Sequence, residues 1–539
     1  MLCGIVNGLL PIPPICMFEP KMYRSTISFI ESEAPFCLAN INRGIEKESL
    51  RVTPDGYLSK RPHPKEWGSA LTNQYITTDY SEALPELITP VTTGREGPRQ
   101  WLFDIHNYIY QHMGDEVLWV GSMPCIMTKE EDVPLANYGS SNVGMMKHIY
   151  RRGLGYRYGR YMQTIAGVHY NFSLPDDFWP KLQAHYGDNS DLQTFISEQY
   201  LALIRNYLRY CWLLPYLYGA SPAICKSFTK GAGGEFLTET EDGTMYGDYA
   251  TSLRMSDLGY QNNAQAKFSI RHNDLYEYTA ELERAIRTPD EFYKELGVKI
   301  DGEYRQLNAN LLQIENEYYA KIRPKRVINS GERPTQALNR AGVQYVEVRS
   351  LDLNPYDPVG ISQSQIDFLD VFMLFCLLQE SKDQSDRENA ENDENFRRVV
   401  YFGRKPDLNL LRNNRSLPLK EATLQIFEEM RPVAVLLDKC NHTRAYTKAL
   451  SEAIEMANDP SKTLSGRYYK DIKSSAKGYF GYTMELSAKV QQQFLSQPVE
   501  PRVQRLFEQE AEKSLAEQQE IEKSETLSFE EYLEQYFAE

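Results

Sequence analysis

Apolar and polar residues alternate along four separated stretches of the chain, and this alternation predicts β-strands. The four stretches are Gly44–Val52, Ala83–Pro90, Gly167–Leu174 and Gly342–Leu353. Side chains two residues apart share a face of a strand, so each stretch has a polar and an apolar face. Because long segments separate the stretches, and none leads into a glycine-rich turn before a helix, the pattern excludes a hairpin meander and a regular βαβ repeat.

A helical period of apolar residues occurs between these strands. It predicts helices at Arg99–Met113, Glu198–Leu213 and Asn273–Arg287. The third begins at an Asn-Asp cap and ends before a Thr-Pro pair, which are common start and stop patterns of a helix. The region from about 38 to 360 therefore mixes short strands with helices.

Beyond about residue 360 the pattern becomes helical. Gln363–Gln379 is predicted to be an apolar helix, and the polar run ESKDQSDRENAENDENF after it is predicted to be a solvated loop. The chain ends in SFEEYLEQYF, where Ser528 and Glu531 form a capping-box pattern ahead of a terminal helix. We therefore expect a mainly helical C-terminal region.

The composition is that of a globular protein with room for a large core. The chain has 539 residues, of which 42% are hydrophobic and 25% are charged, and its formal net charge is −15. This length allows one large domain with additions, or two to three domains. The acidic balance argues against nucleic acid as the main partner, although a local basic patch could bind a small anion.

Two apolar segments do not meet the requirements of a membrane span. The N-terminal MLCGIVNGLLPIPPICMFEP lacks a basic region before its apolar run and is interrupted by proline. The later run YLALIRNYLRYCWLLPYLYGA contains Arg205, Arg209 and Pro215, which is typical of a buried amphipathic helix. Eight scattered cysteines without a CxxC pair fit reduced thiols. We expect a cytoplasmic protein without a membrane partner.

Acidic residues recur in the predicted strands. Glu46 and Glu48 lie one residue apart in GIEKESLRV, Glu86 lies in ALPELITPV, and His169 and Glu347 lie in VHYNFSL and VQYVEVRSLDL. A single acid on a strand is more often on a solvated face. If the strands share a sheet, however, these residues meet on one face, and four carboxylates share a site only with cations. Hard divalent ions with oxygen ligands, Mg²⁺ first, are the natural partner.

Magnesium sites of this kind usually hold phosphates, and the chain offers cations for them. It has no GxxxxGK[ST] motif, so a P-loop is excluded. RRGLGYRYGRY (151–161) and KGAGG (230–234) contain glycine but have no Rossmann context, and we interpret both as surface loops. Arg254 in TSLRMSDLGY, and Arg323 with Lys325 in YYAKIRPKRV, are better candidates for neutralising phosphate.

Eight long motifs resemble those of one known family, the proteobacterial-type glutamate–cysteine ligases. The resemblance runs almost without gaps from about Ile41 to Gly360 and thins to a general helical character beyond. The motifs are RGIEKESLRV, LTNQYITTDYSEALPELITPV, YGSSNVGMMKHIYRRGL, MQTIAGVHYNFSLP, YGASPAIC, YATSLRMSDLGY, QIENEYYAKIRPKR and VEVRSLDLNPYDPVGI. Together these motifs are highly specific.

The resemblance implies an α+β fold with a glutamine-synthetase-like core. In this family a curved, mainly antiparallel sheet has helices on its outer face, and its concave face carries metals, ATP and substrates. We therefore expect an N-terminal extension at 1–37, a catalytic core at 38–360 and a mainly helical C-terminal region at 361–539 that packs on the core.

The resemblance also implies a role for each matching position. The expected metal ligands are Glu46, Glu48, Glu86, His169 and Glu347. The expected substrate contacts, which include the cysteine pocket and its surroundings, are Tyr150, Ile165, Arg254, Tyr260 and Tyr319. The expected contacts of the nucleotide phosphates are Arg323, Lys325 and Arg349. Of these, Arg254 and Arg349 match arginines that contact substrate and phosphate, and they are the expected catalytic residues.

The activity implied by the resemblance is ATP-dependent ligation of L-glutamate to L-cysteine, the first step of glutathione biosynthesis. ATP phosphorylates the γ-carboxylate of glutamate to γ-glutamyl phosphate, and the cysteine amine then displaces phosphate. This chemistry needs charge neutralisation rather than a protein nucleophile, and two to three Mg²⁺ ions with the arginines would supply it. The expected partners are glutamate, cysteine and ATP, and the family suggests a monomer.

Two motifs depart from the family pattern. Lys47 and Ser49 stand where Arg and Thr are commoner, but both should point away from the metals. Pro85 stands where the family more often has an aliphatic residue. Because proline cannot donate to a strand ladder, it suggests an edge or a bulge beside Glu86.

Two other functions remain open from the residues. Another carboxylate–amine ligase or a guanidino kinase of the same fold would share the metals and differ in the acceptor pocket. A non-catalytic protein could instead use RRGLGYRYGRY as an RNA or anion patch, although the net acidic charge and the embedded acids argue against it.

Overall fold

The computed structural model describes residues 20–124, 126–229, 236–258, 268, 270–329 and 331–538. The α-helices are α1 (Pro20–Glu33), α2 (Pro35–Ala39), α3 (Gly97–His112), α4 (Asn142–Tyr158), α5 (Phe178–Tyr186), α6 (Leu192–Tyr210), α7 (Leu213–Tyr218), α8 (Lys226–Thr229), α9 (Leu275–Arg287), α10 (Glu291–Leu296), α11 (Pro334–Ala341), α12 (Gln363–Leu378), α13 (Asp386–Phe402), α14 (Leu419–Cys440), α15 (Ala445–Asn458), α16 (Leu464–Ser474), α17 (Gly478–Leu495), α18 (Pro501–Ser524) and α19 (Phe529–Ala538).

The strands are shorter than the helices. They are β1 (Asn42–Glu48), β2 (Arg51–Val52), β3 (Ile76–Thr78), β4 (Pro85–Ile88), β5 (Val117–Leu118), β6 (Gly167–Ser173), β7 (Ala223–Cys225), β8 (Thr238–Glu239), β9 (Thr244–Tyr246), β10 (Lys299–Ile300), β11 (Glu303–Tyr304), β12 (Ile322–Lys325), β13 (Tyr345–Asp352), β14 (Asn409–Arg412) and β15 (Arg415–Pro418).

Six of these strands form the main sheet, in the order β12-β13-β6-β1-β4-β3. Each neighbouring pair in this sheet is antiparallel. The four strands predicted from alternation correspond to β1, β4, β6 and β13, and the four predicted helices correspond to α3, α6, α9 and α12. The expected mainly antiparallel α+β fold is therefore confirmed.

One face of the main sheet forms part of the core. Helices α3, α6 and α7 contact its strands, and the side chains that point to these helices are apolar and buried. They include Ile45, Val168, Tyr170, Phe172, Val346 and Val348. Burial of this apolar surface is the main term that holds the sheet against the helices. The opposite face is left for polar residues.

The stretch from 44 to 52 forms two strands rather than one. β1 ends at Glu48, and β2 pairs with β5 in a separate two-stranded sheet. The first residue of β2, Arg51, is buried and binds the Glu116 carboxylate at 2.8 Å. This buried ion pair holds the chain in the second sheet, so the main sheet keeps only the part of the stretch up to Glu48, which contains both Glu46 and Glu48.

Pro85 begins β4, and it lies neither on an edge strand nor at a bulge. β4 has β1 on one side and β3 on the other. The first residue of a strand tolerates proline because the ladder does not require its missing N–H. Pro85 still accepts a hydrogen bond, since the Ser49 nitrogen lies 3.2 Å from its carbonyl oxygen. The expected edge or bulge was wrong, and Glu86 is held inside the sheet.

The helices after residue 360 pack on one another and on the core. α12 contacts α6, α14 and α15. The run 380–396 is not the solvated loop that its polarity predicted, because α13 begins within it, with Ser385 as its N-cap. Two acids in the first turn of α13 stabilise its N-terminus. Among the described residues, no helix is long and apolar enough to cross a membrane.

The terminal helix forms as its capping box predicted. A Glu531 oxygen lies 2.8 Å from the Ser528 backbone nitrogen, and the Glu531 nitrogen lies 3.3 Å from Ser528 Oγ. These two reciprocal bonds satisfy donors that a bare helix end would leave unpaired. α19 therefore begins at Phe529.

Candidate active site

The strand register brings the predicted acids and the histidine to one face of the main sheet. Glu46 is directly opposite His169, and Glu48 is directly opposite Glu86. Residues opposed in an antiparallel pair share a face. Glu347 is opposite Asn171, which lies two residues from His169 and so points the same way. All of these side chains therefore point away from the helices that cover the apolar face.

His169 lies at the centre of the carboxylates. Its Nδ1 is 3.1 Å from an oxygen of Glu46 and 3.7 Å from one of Glu347, and its Nε2 is 3.8 Å from one of Glu48. Glu46, Glu86 and His169 each place one ligand atom within 4.8 Å of the others. Such a group of oxygens with one imidazole fits a hard divalent ion such as Mg²⁺.

The charges on this face are unbalanced. Burial and the neighbouring Glu46 raise the pKa of Glu86 well above its usual range. Burial also opposes ionisation of Glu347, but Lys325 and then Arg349 hold the pKa of Glu347 well below its usual range. Glu347 Oε2 is buried and has no hydrogen-bond partner among the described residues. A bound cation would offset the repulsion between the carboxylates and would give Glu347 Oε2 a partner.

Gly167 links this carboxylate cluster to Arg254. Its backbone nitrogen donates to a Glu48 oxygen at 2.7 Å. A Cβ at this position would lie 2.0 Å from Arg254 Nη2, so only glycine allows the guanidinium so close. Arg254 is buried and donates to the carbonyl oxygen of Arg349 at 3.2 Å. The two arginines predicted to be catalytic are thus in direct contact.

A cavity of about 120 Å³ lies beside the arginines. Four predicted residues line it, and they are Tyr150, Tyr319, Arg323 and Arg349. Ile165 is buried in the main core and is absent from the described lining of this cavity. Tyr260 lies outside the described residues. Two of the tyrosines predicted to contact substrate, Tyr150 and Tyr319, therefore line this cavity, and their role stays a prediction.

A second cavity, of about 340 Å³, lies along the edge strand β12. Arg323 and Lys325 line it together with the aromatic rings of Tyr278, Tyr318 and Tyr345. Lys325 Nζ is also 3.6 Å from Glu347 Oε2, which connects this cavity with the carboxylate face. Arg323 contributes to both cavities.

Comparison with known proteins decides the family of this site. The family model described as glutamate-cysteine ligase matches residues 27–399. The chain belongs to the glutamate-cysteine ligase family. The family resemblance seen in the motifs is therefore confirmed, and the matched residues include the whole carboxylate face.

Relatives of the glutamate-cysteine ligase family match nearly the full chain. The chain is 51% identical to the glutamate–cysteine ligase of Alcanivorax borkumensis over 515 residues, which cover 95% of this chain and 98% of that relative. It is 46% identical to that of Pseudomonas putida over 518 residues, which cover 96% and 98%. The crystal structure of the Francisella tularensis glutamate–cysteine ligase in complex with AMP matches with a TM-score of 0.87 at 36% identity, covering 93% of this chain and 98% of that one.

Sequence reasoning missed Arg151, which lines the smaller cavity beside Tyr150. The interpretation of 151–161 as a surface loop was wrong, because residues up to Tyr158 belong to α4. In that helix Arg157 is buried and binds Glu317 at 2.9 Å. An arginine held in this way does not contribute to an exposed RNA patch, so the alternative function based on this segment loses its main support.

Other residues that line the site had little or no signal in the sequence that would identify them. Asp79 and Gln163 line the smaller cavity, and no spacing rule singled them out. Asn171 donates to Glu46 at 3.0 Å. Its position was readable from VHYNFSL, where it lies on the same strand face as His169. KGAGG at 230–234, which we interpreted as a surface loop, lies outside the described residues.

Lys47 and Ser49 stay away from the carboxylate face. Lys47 alternates with Glu46 and Glu48, so its amine points to the opposite side of the sheet, where Nζ lies 2.9 Å from His106 Nε2. Ser49 follows the end of β1 and is buried outside the main sheet. These two departures from the family pattern therefore leave the site face unchanged.

Proposed function

We propose that this protein joins the γ-carboxylate of L-glutamate to the amine of L-cysteine at the expense of ATP, the first step of glutathione biosynthesis. Membership of the glutamate-cysteine ligase family supports the activity. The observation that carries it is the convergence of four carboxylates and His169 on one sheet face, beside a cavity that contains arginines. The AMP bound to the Francisella tularensis relative supports a nucleotide substrate here.

Two to three Mg²⁺ ions would be held at the carboxylate face. The proposed ligands are Glu46, Glu48, Glu86, His169 and Glu347. When bound, the ions supply neutralisation of the phosphate oxygens during transfer. Glu46 has a role without metal as well, because it accepts hydrogen bonds from both His169 and Asn171 and so orients the imidazole.

Arg349 and Arg254 are the proposed catalytic cations. Arg349 lies 3.1 Å from Glu347 and reaches the smaller cavity, so it can stabilise the transferring phosphoryl group next to the carboxylates. Arg254 donates a hydrogen bond to the carbonyl oxygen of Arg349 and can anchor the carboxylate of glutamate. The γ-carboxylate attacks the terminal phosphorus of ATP, ADP leaves, and γ-glutamyl phosphate forms.

The cysteine amine then attacks the acyl carbon, and phosphate leaves. We assign the smaller cavity to this acceptor, with Tyr150 and Tyr319 as its aromatic walls. Asp79 lines the same cavity, and its carboxylate can bind the ammonium group of the incoming amino acid and accept the proton that must leave before the neutral amine attacks. A cavity of about 120 Å³ favours a small side chain, which agrees with an acceptor of cysteine size.

We assign the second cavity to the nucleotide. Its aromatic lining suits a purine, and Arg323 and Lys325 lie between it and the carboxylate face, where phosphates would lie. A cytoplasmic location and a monomeric state stay predictions, as do the boundaries at residues 37 and 360.

Phosphate release tests the proposal directly. The protein is incubated with Mg²⁺, ATP and glutamate, with and without cysteine, and the product is identified by mass. We expect phosphate and γ-glutamylcysteine only when all components are present. A panel of other amines in place of cysteine separates this activity from that of another carboxylate–amine ligase of the same fold. Phosphate release with a different amine, and none with cysteine, would overturn the assignment of the acceptor.

A further inference from the structure

The last residues of the chain contact the helix that carries the acceptor cavity. The family model ends at residue 399, and the role of the C-terminal tail does not follow from it. α4 contributes Tyr150, Arg151, Leu154 and Tyr158 to the cavity. Small movements of α4 along or about its axis would therefore change the shape of the cavity.

Two tail carboxylates bind the N-terminus of α4. A Glu525 oxygen accepts a hydrogen bond from the Asn142 backbone nitrogen at 2.5 Å, and a Glu522 oxygen accepts one from the Ser140 nitrogen at 2.8 Å. The Asn142 amide group in turn donates to the Leu527 carbonyl at 3.0 Å. The Asn142 nitrogen lies in the first turn of α4, where backbone nitrogens have no partner within the helix, and a carboxylate there also interacts favourably with the helix dipole.

The apolar side of α19 packs against the middle of α4. Phe529 and Leu533 are buried in one cluster with Met146 and Ile149 of α4, and Tyr150 packs against that cluster. Tyr150 therefore has the tail on one side and the acceptor cavity on the other. Through this ring, a shift of α19 reaches the cavity directly.

The helix α19 also contacts residues of the catalytic core outside α4. Lys299 Nζ lies 2.7 Å from a Glu530 oxygen, and the ring of Tyr304 meets that of Phe529 edge-on at 5.3 Å. On the far side of α4, the amide of Gln313 donates to the Tyr150 carbonyl at 3.2 Å. α4 is thus fixed between the core and the tail.

We propose that the C-terminal segment 522–538 positions α4 and thereby sets the shape of the acceptor cavity. Glu525 and Phe529 are its positioning residues, because one holds the start of α4 and the other holds the helix face that bears Tyr150. This inference rests on the proposed function for its kinetic readout. It assigns to the tail a part in acceptor selection rather than in phosphoryl transfer, since the hydrogen bonds and ion pairs that join the tail to segments before α18 in the described chain go to the start of α4 and to Lys299 and Tyr304, not to the carboxylate face.

Two substitutions in the full-length protein test the proposal. Glu525→Ala removes the carboxylate that binds the first backbone nitrogen of α4, and Phe529→Ala removes the apolar contact. We expect the KM for cysteine to rise about fivefold or more in each, with kcat and the KM for ATP within about twofold, because displacement of a positioning helix acts on the bound acceptor. We also expect the preference for cysteine over 2-aminobutyrate to change by about threefold or more.

Matched controls come from the same helices. Glu520→Ala removes an exposed carboxylate of α18, and Gln535→Ala truncates an exposed side chain of α19. Both should leave the KM for cysteine unchanged. Phe529→Leu keeps an apolar side chain and should restore most of the cysteine affinity that Phe529→Ala loses.

Amide hydrogen exchange gives a readout that does not depend on activity. Residues 142–158 should exchange faster in Glu525→Ala and Phe529→Ala, with the main sheet unchanged. Faster exchange with an unaltered KM for cysteine and an unaltered acceptor preference would overturn the proposal, because the tail would then only stabilise the helix. If the unsubstituted protein makes no γ-glutamylcysteine, the proposed function fails, and the exchange data still decide whether the tail holds α4.

Discussion

The two faces of β1 differ in how completely their charged side chains are paired. On the apolar side, Arg43 binds Asp370 through two nitrogens, the shorter contact being 2.7 Å, and also donates to the carbonyls of Ile41 and Thr93. Tyr170 donates to the same aspartate at 2.5 Å. Both members of the pair are fully buried and well supplied with partners.

On the polar side, Glu46 and Glu48 lie among further acids. The imidazole of His169 lies within 3.8 Å of both, and Glu347 keeps an oxygen without a hydrogen-bond partner among the described residues. A buried charge that is fully paired holds a fold together, whereas a group of acids with too few partners is prepared for something that binds later. Substitutions on each side of β1 and the addition of Mg²⁺ test this distinction, and a histidine buried elsewhere extends it to a single titrating group.

Removal of a charge from the paired side should destabilise the protein most. Asp370→Asn leaves the buried Arg43 guanidinium without its carboxylate, which costs about 3–5 kcal/mol in the free energy of unfolding. Urea unfolding followed by circular dichroism measures this loss. Turnover per folded molecule should stay close to that of the parent. A large loss of turnover with unchanged stability would contradict the distinction between the two faces.

Removal of a charge from the acidic side should instead destroy activity. Glu46→Gln keeps the shape of the side chain but loses a proposed metal ligand, and we expect kcat/KM to fall about 100-fold or more. The melting temperature should change little, because repulsion from Glu347 is also removed. Glu332→Gln is the matched control, since Glu332 forms an ion pair with the exposed Arg340 and accepts a hydrogen bond from the Asn329 nitrogen. Full activity in Glu46→Gln would refute the metal assignment.

Divalent cation should stabilise the protein through the acidic side alone. At a tenfold excess of Mg²⁺ over its dissociation constant, we expect about 1.4 kcal/mol of added stability, measured as a rise in melting temperature. The rise should be smaller in Glu46→Gln and absent in the presence of a chelator. An equal rise in both proteins would place the cation elsewhere.

A histidine buried beside a cation should make the stability of the protein sensitive to acid. Burial and then Arg205 lower the pKa of His272 to about 4. Between pH 4 and 6.5 the unfolded chain binds more protons at this position than the folded one, so stability falls as pH drops below 6.5. At pH 5.5 the loss relative to pH 7 is roughly 1 kcal/mol.

The variant His272→Phe should remove this part of the acid sensitivity. Melting temperatures recorded from pH 7 to pH 5 measure the slope. The control is His442→Asn, which replaces an exposed histidine whose positive φ of 51° asparagine tolerates. A slope equal to that of the parent in His272→Phe would show that other groups cause the acid sensitivity.

Local patterns predicted where helices begin and end better than they predicted which distant segments pack against a residue. The capping box at Ser528 and the cap-to-proline span of α9 were readable because both depend on neighbouring residues. The polar run that contains the start of α13 was misread, since its helix is stabilised by an N-cap and by packing on α7 and β14. Arg151 was missed because its place in the cavity depends on distant segments that contribute the other walls.

The sequence by itself determined which side chains share a face of each strand and which family the motifs resemble. The first follows from the two-residue period of a strand, which depends on nothing beyond the strand. Only the tertiary structure decided that Glu48 is opposite Glu86, that Glu46 is opposite His169, and that the C-terminal tail contacts the start of α4. Strand order and register depend on packing between segments far apart in the chain, and a local pattern contains no information on which segments will meet.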